Sequence, residues 1–374
     1  MRIAIDARAL LPQATGIGTY THGIATALAA REGVRVGLFS PRRLPDGREQ
    51  GPWTVHADSH PFGMLWAQTT LPARVRRWKA DVLLSALTIG PFASAAPPFV
   101  SVVHDLTPWT NPEWHARRTL VGFVPLWERT VERATLFLCV SNATASELVA
   151  AYPETASRIR IARNGVDPGL SPGAGPNGPE AERTRQKYAG GERFVLYLGT
   201  LEPRKNVEGL VLACERLWGS RRSRPHLLLA GGVGWKSAPL LRRIARSPFR
   251  DKIHTIGYVS PQAARDLYRA AEAFVYPSLA EGFGLPVLEA MACGVPVVAS
   301  DAPALVEVGG DAALYAPAHD VAELARQVER ALEEEPTRLR LRKAGPERAA
   351  EFSWEAAGRA TAAALDEAAR EGGP

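Results

Sequence analysis

Residues 276–300, YPSLAEGFGLPVLEAMACGVPVVAS, constrain the fold of this chain more than any other stretch. A Pro-Ser turn leads to an acidic residue, Glu281, and then to a glycine-bracketed aromatic, Gly282-Phe283-Gly284. Leu285-Pro286 follows, and Pro286 suits the first turn of a helix, where its missing N–H costs nothing. Glu289 stands eight positions after Glu281 and can face the same side as that loop. The small-residue turn Cys293-Gly294 then opens an apolar run, Val295-Pro296-Val297-Val298, which predicts a buried strand. The order is therefore strand end, Gly-rich loop, helix start, strand. A loop feeding a helix N-terminus aims backbone N–H groups and the positive end of the helix dipole at its ligand, which suits phosphate or sugar oxygens. The ordinary alternative is a βαβ unit with two solvated glutamates.

The same rhythm recurs along the chain. Residues 2–7 predict a first buried strand, followed by LPQATGIGTY and an Ala-rich helical pattern. Gly16 and Gly18 in that loop lack dinucleotide-fingerprint spacing, so they predict either a cradle for phosphate or sugar or a tight turn. Residues 99–103 form a strand pattern ending at His104-Asp105, at the carboxyl end where α/β proteins place ligand groups. Asp105 has three readings: it orients the imidazole, bonds a substrate hydroxyl, or caps the following turn. Ser141 is placed to cap a helix. In the second half, residues 194–199 give a buried strand that runs into Thr200-Leu201-Glu202-Pro203-Arg204-Lys205-Asn206. Arg204 is a fork and Lys205 a point charge, a pair suited to a diphosphate, although two adjacent cations also occur in ordinary basic loops. Further strand patterns span 226–230, 253–258 and 273–276.

With 374 residues, two to three domains are expected. Asn164-Gly165-Val166-Asp167 is a strong turn signal, and the Pro/Gly-rich, then charged residues 168–193 predict a linker. The expected domains are thus 1–167 and 194–352. A net charge of +6 fits a nucleoside diphosphate, a nucleic acid or an anionic membrane surface. The three cysteines lack metal-ligand spacing, which fits a reducing, cytoplasmic setting. Residues 82–103 carry prolines and serines and predict two buried strands joined by a loop, not a membrane span. Residues 65–79 carry Arg74, Arg76, Arg77 and Lys79; they predict either a solvated helix face covering a sheet or a basic surface on anionic lipid, and Pro72 argues against one continuous helix.

The E-G-F-G-L-P segment with its second glutamate, together with G-T-L-E-P-R-K-N, S-V-V-H-D-L-T-P and the closing F-S-W-E, resembles the retaining GT-B glycosyltransferases of glycosyltransferase family four. The resemblance covers nearly the whole chain. It implies an α/β fold of two Rossmann-like domains facing across a cleft, with a C-terminal helix, 353–374, returning to the first domain. It implies that Glu281 meets the donor sugar hydroxyls and Glu289 the ribose hydroxyls. Arg204 and Lys205 would hold the diphosphate, with close backbone approach at Gly199. Gly282, Phe283, Gly284 and Leu285 would line the donor, as would the loop of Gly16 and Gly18. His104 would lie over the sugar, and Tyr258 and Val259 would meet the base. Glu307 is a weaker candidate, because the family's glycine pair is replaced by Asp301-Ala302-Pro303.

The A-L-L-P-x-x-T-G-I-G-T-Y opening looks most like bacterial mannosyltransferases of cell-surface polysaccharide assembly. The resemblance therefore implies GDP-mannose as donor, a saccharide or lipid-linked saccharide as acceptor, and no resident cofactor. No D-x-D pair follows a strand, so no metal is expected on the diphosphate. The rival enzyme classes are a GT-B phosphorylase, which would carry pyridoxal phosphate on a lysine, and a nucleotide-sugar epimerase, which would act without an acceptor. A basic nucleic-acid binder is the rival outside enzymes, but no basic helix with interleaved aromatics supports it. Any membrane contact should be peripheral.

Overall fold

The computed structural model describes residues 1–11, 16–45, 47–92, 97–115, 117–220 and 225–371. Residues 12–15 of the predicted opening loop, 93–96 of the stretch between two predicted strands, and 372–374 of the predicted closing helix lie outside that set.

Two compact units are present. The first comprises Met1–Gly165 and Phe352–Pro374, and the second Val166–Glu351. The first holds a parallel sheet of seven strands: β1 (Arg2–Asp6), β2 (Arg35–Ser40), β3 (Thr54–Ala57), β4 (Val82–Ser85), β5 (Phe99–Val103), β6 (Leu136–Cys139) and β7 (Ile159–Ile161). Their order is β3-β2-β1-β4-β5-β6-β7. The second holds a parallel sheet of six: β8 (Phe194–Leu198), β9 (His226–Ala230), β10 (Ile253–Gly257), β11 (Ala273–Tyr276), β12 (Val297–Ser300) and β13 (Ala313–Ala316), in the order β10-β9-β8-β11-β12-β13. Central strands such as β5, β6 and β11 are buried along their whole length, as a parallel sheet covered on both faces requires. Their unbroken apolar runs made them legible. Each sheet has the Rossmann strand order, so the chain reverses direction beside its first strand and leaves a crevice at the carboxyl ends there.

The first core gathers Trp66, Leu71, Val75, Phe99, Trp127 and Phe137. Trp66, Leu71 and Val75 come from the helix Gly63–Arg77, which runs unbroken through Pro72. That corrects the expected break: Pro72 is itself buried among the apolar side of the helix, which packing on the sheet holds together. Arg76, Arg77 and Lys79 stand exposed, while Arg74 pairs with Asp58. The closing helix, Trp354–Glu371, belongs to this first unit. Trp354 meets Tyr20 edge-on at 6.3 Å, and Arg160 Nε donates to Glu367 Oε2 at 2.9 Å. No described helix is long and apolar enough to cross a membrane.

Three boundaries differ from expectation. Residues 168–193 are not a plain linker: Pro179–Ala189 is a helix that packs on the helix Pro261–Ala270 and buries Ala181, Thr184, Arg185 and Ala189. Proline at its first position, acids in its first turn and Gly190 in the left-handed conformation after it are helix signals that the Pro/Gly content of the preceding stretch obscured. β12 begins at Val297, because Gly294 takes a positive φ of 71° and Pro296 has no N–H; the Pro296 carbonyl accepts from Phe274 N at 2.8 Å. Gly16 and Gly18 lie in the first turn of the helix Gly16–Ala29, not in a loop before it.

Candidate active site

The second unit builds its site where β8 and β11 lie side by side and the chain departs from them in opposite directions. After β8 comes a one-turn 3₁₀ helix, Pro203–Lys205, which places Arg204 and Lys205. Asn206 ends it in the left-handed region, which asparagine tolerates, and its side-chain amide donates to the carbonyls of Pro277 at 3.2 Å and Ala318 at 2.7 Å. Leu279 N donates to the Arg204 carbonyl at 2.8 Å. The two loops are thus stapled together by backbone and amide bonds.

Their charged side chains form one buried cluster. Lys205 Nζ donates to Glu281 Oε1 at 2.5 Å and to the Tyr276 hydroxyl at 2.8 Å. Arg204 Nη1 donates to Glu281 Oε2 and to the Ala280 carbonyl, at 3.1 and 3.0 Å, and Nη2 lies 3.1 Å from Glu202 Oε1. Side-chain exposures run from 3% for Glu202 to 14% for Arg204, so these charges are largely stripped of water and depend on each other. Two cations face two carboxylates. Burial by itself raises the Glu281 carboxyl, but Lys205 and Arg204 outweigh it and hold the group at about 2. Burial lowers the Lys205 ammonium, and Glu281 acts against that. Glu202 is pushed up by burial, with Arg204 opposing. Among the described residues two of the three Lys205 donors are engaged, which leaves one for a ligand oxygen.

Behind the cluster, the backbone is shaped by glycine. Gly231, at φ 140°, lies so close to Gly199 that a Cβ there would sit 2.0 Å from the Gly199 carbonyl oxygen. Gly284, at φ 105°, caps the helix Leu285–Ala292, and a Cβ there would meet Leu305 at 2.5 Å. Gly282 and Phe283 are buried just before this helix. Glu289 projects from it, and the Tyr268 hydroxyl donates to its Oε2 at 3.1 Å. Burial pushes the Glu289 carboxyl up to about 7, the Tyr268 bond opposes, and Asp167 adds to the rise. The two glutamates of one sequence pattern therefore differ sharply: Glu281 is a fixed anion, and Glu289 titrates near neutrality.

Tyr258 and Val259 follow the end of β10, and Tyr258 is half exposed. Glu307 lies on the short helix Pro303–Gly309, and its carbonyl accepts from Arg348 at 2.7 Å. In the first unit His104 follows β5. Its Nε2 lies 2.8 Å from the Ala86 carbonyl, which can only accept, so Nε2 carries the proton. Loss of solvent lowers the imidazole and keeps it neutral, and Tyr20 meets it edge-on at 4.9 Å. Asp105 Oδ1 accepts from the Thr107 amide and hydroxyl, at 3.1 and 2.6 Å, which selects the turn-capping reading. Ser141 caps its helix through the Thr144 amide at 3.0 Å, as expected. Sequence reasoning missed Glu202, Tyr268 and Tyr276, whose roles arise only from contacts across the fold.

Comparison with known proteins decides the family. Residues 180–348 match the family described as glycosyl transferases group 1, and residues 14–170 match glycosyltransferase family 4. The O-antigen chain mannosyltransferase B of Escherichia coli is 36% identical over 257 residues, 68% of this chain and 67% of that protein. The chain belongs to the group 1, family 4 glycosyltransferases. The fold of this glycosyltransferase is GT-B: HepE from Anabaena, solved with UDP-glucose, superposes with a TM-score of 0.76 at 22% identity, covering 98% of this chain and 99% of HepE. A serotype-specific mannosyltransferase of Escherichia coli, WbdA, is 30% identical over 259 residues, 68% of this glycosyltransferase, which spans about a third (32%) of WbdA.

Proposed function

We propose that this glycosyltransferase moves a mannosyl unit from GDP-mannose to a saccharide or lipid-linked saccharide acceptor in cell-surface polysaccharide synthesis, with retention at the anomeric carbon. The cluster of Glu281, Arg204 and Lys205 on two stapled loops carries this reading. A donor diphosphate would draw Arg204 and Lys205 towards its oxygens and release part of Glu281 to the sugar hydroxyls, so the ion pairs are a resting arrangement of the binding groups. Glu289 would accept from the ribose hydroxyls, with Tyr258 and Val259 beside the base. The mannose assignment is supported by the names of the mannosyltransferase relatives.

In the reaction, the acceptor hydroxyl would attack from the leaving group's own face, and the departing phosphate oxygen would take its proton. Arg204, Lys205 and the N-terminus of the helix Leu285–Ala292 would neutralise the developing charge, a term that is commonly the largest in catalysis. No cofactor or metal is invoked. His104 would position the sugar through Nδ1, its unprotonated nitrogen. His104→Ala should lower turnover about 10- to 100-fold, the cost of a misplaced reactant. Nucleotide affinity by calorimetry should stay within about twofold; a loss of GDP affinity as large as the loss of turnover would remove His104 from the sugar.

Thermal unfolding with a panel of nucleotides and nucleotide sugars tests the donor. A donor at about 100 times its Kd stabilises by about 2.7 kcal/mol, so GDP and GDP-mannose should raise the midpoint and UDP counterparts should not. A response to uridine nucleotides alone would overturn the GDP assignment, and no response to any nucleotide would overturn the donor site.

A further inference from the structure

The second unit carries a cavity of about 650 Å³ at the pole of its sheet opposite the candidate active site. Arg193 and Glu272, which line it, immediately precede β8 and β11. The active-site loops follow the other ends of those same strands, about 15 Å away at the rise of a β-strand. Arg185 comes from the helix Pro179–Ala189, and Arg338 and Arg342 from the helix Glu335–Ala349.

The charges in this cavity do not balance. Four arginines meet two glutamates, Glu182 and Glu272. Both carboxylates are engaged: Arg185 lies 2.7 Å from Glu182, and Arg193 lies 3.0 Å from Glu272. Among the described residues, the Arg338 side chain reaches the Leu332 carbonyl, at 3.3 Å, and no carboxylate, and no hydrogen-bond partner takes the Arg342 guanidinium. Arg338 and Arg342 are one turn apart on one helix, where like charges repel. Arg342 is partly buried, and both desolvation and Arg338 act against its charge, with Glu272 opposing. Among the described residues, Glu333 acts on Arg193 from outside the lining, not on Arg342. A folded chain that brings two guanidinium groups together over a cavity, with both lining glutamates already paired, leaves a place for an anion. Paired guanidinium groups bind phosphate oxygens bidentately, and the volume exceeds that of one phosphate, so a phosphorylated small molecule fits.

We infer that the cavity between Arg338, Arg342 and the Arg193–Glu272 pair is a second binding site, separate from the donor site, for a small phosphate-bearing anion. The test uses the full chain saturated with GDP, so that the donor site is filled, and inorganic pyrophosphate as the titrant in calorimetry. Pyrophosphate should still bind. Its affinity should fall about tenfold or more in Arg342→Gln and in Arg338→Gln, and weaken as salt rises. In the absence of the anion both variants should unfold no earlier than the native chain, since a repulsion is relieved; pyrophosphate should raise the midpoint of the native chain more than that of Arg342→Gln. Pyrophosphate binding that disappears on GDP saturation, or is unchanged in both variants, would overturn the inference. Arginine-dependent flotation with phosphatidic acid vesicles, without pyrophosphate binding, would also overturn it, because a lipid headgroup and not a free anion would then be the ligand.

Discussion

Replacing Lys205 by alanine is expected to lower turnover about 10²- to 10³-fold and to weaken nucleoside-diphosphate binding, while Glu281→Ala abolishes transfer and leaves that binding intact or tighter. The opposite signs follow from the resting cluster. Lys205 bonds Glu281 at 2.5 Å and Tyr276 at 2.8 Å, and Arg204 bonds the other Glu281 oxygen at 3.1 Å. Removing Lys205 leaves two buried carboxylates beside one guanidinium, so an arriving diphosphate meets net negative charge. Removing Glu281 takes one carboxylate away from Lys205 and Arg204, which favours the diphosphate, but would delete the acceptor proposed for the sugar hydroxyls. Calorimetry with GDP and initial rates with GDP-mannose separate the two, and the unfolding midpoint identifies a variant that has simply lost its fold. Equal GDP affinity in both variants with turnover preserved would contradict the assigned roles.

The second large effect is on pH. Glu289 is raised to about 7, above the ordinary glutamate value, so the folded chain holds a proton that the unfolded chain releases. Its contribution to stability is therefore present at low pH and is lost as pH rises through about 7. Nucleotide binding should run the other way. On the proposed role the ionised carboxylate would accept both ribose hydroxyls, so GDP affinity should rise between about pH 5 and 7, by up to tenfold per unit, and level off above. The GDP phosphate titrates in the same range, so the control is Glu289→Gln, which keeps shape and removes the titration. The Gln variant should bind GDP weakly with only the phosphate's own pH dependence. A native chain and a Gln variant with superimposable pH profiles would contradict a ribose contact at Glu289. Tyr268→Phe, which removes the donor at 3.1 Å, should shift the native profile to higher pH.

Much of this was written in the sequence because parallel sheets bury their strands on both faces. Continuous apolar runs such as FVSVV and FVLYL, each followed by a glycine or a polar loop, located β5, β8 and the edge at which ligand groups gather. Pairing across the fold was not legible. Tyr276 and Lys205 are 71 positions apart and Tyr268 and Glu289 are 21, and neither tyrosine carries a local mark of its partner. Nor does composition separate a helix from a linker: residues 168–178 are rich in Pro and Gly, but the next eleven pack against Pro261–Ala270. Pro72 misled for the same reason, since a proline rule describes an isolated helix and not one held to a sheet by Trp66, Leu71 and Val75. Asp105 was settled only by its two bonds to Thr107.

The proposed reaction is transfer with retention, driven by fixed cations on the leaving diphosphate. The most direct measurement is the anomeric configuration of the first-formed product by NMR, from GDP-mannose and a saccharide acceptor in excess EDTA. Transfer should proceed at an undiminished rate and give an α-mannosyl product, the configuration of the donor. A β-linked product, or activity that disappears with EDTA and returns with magnesium, would contradict it.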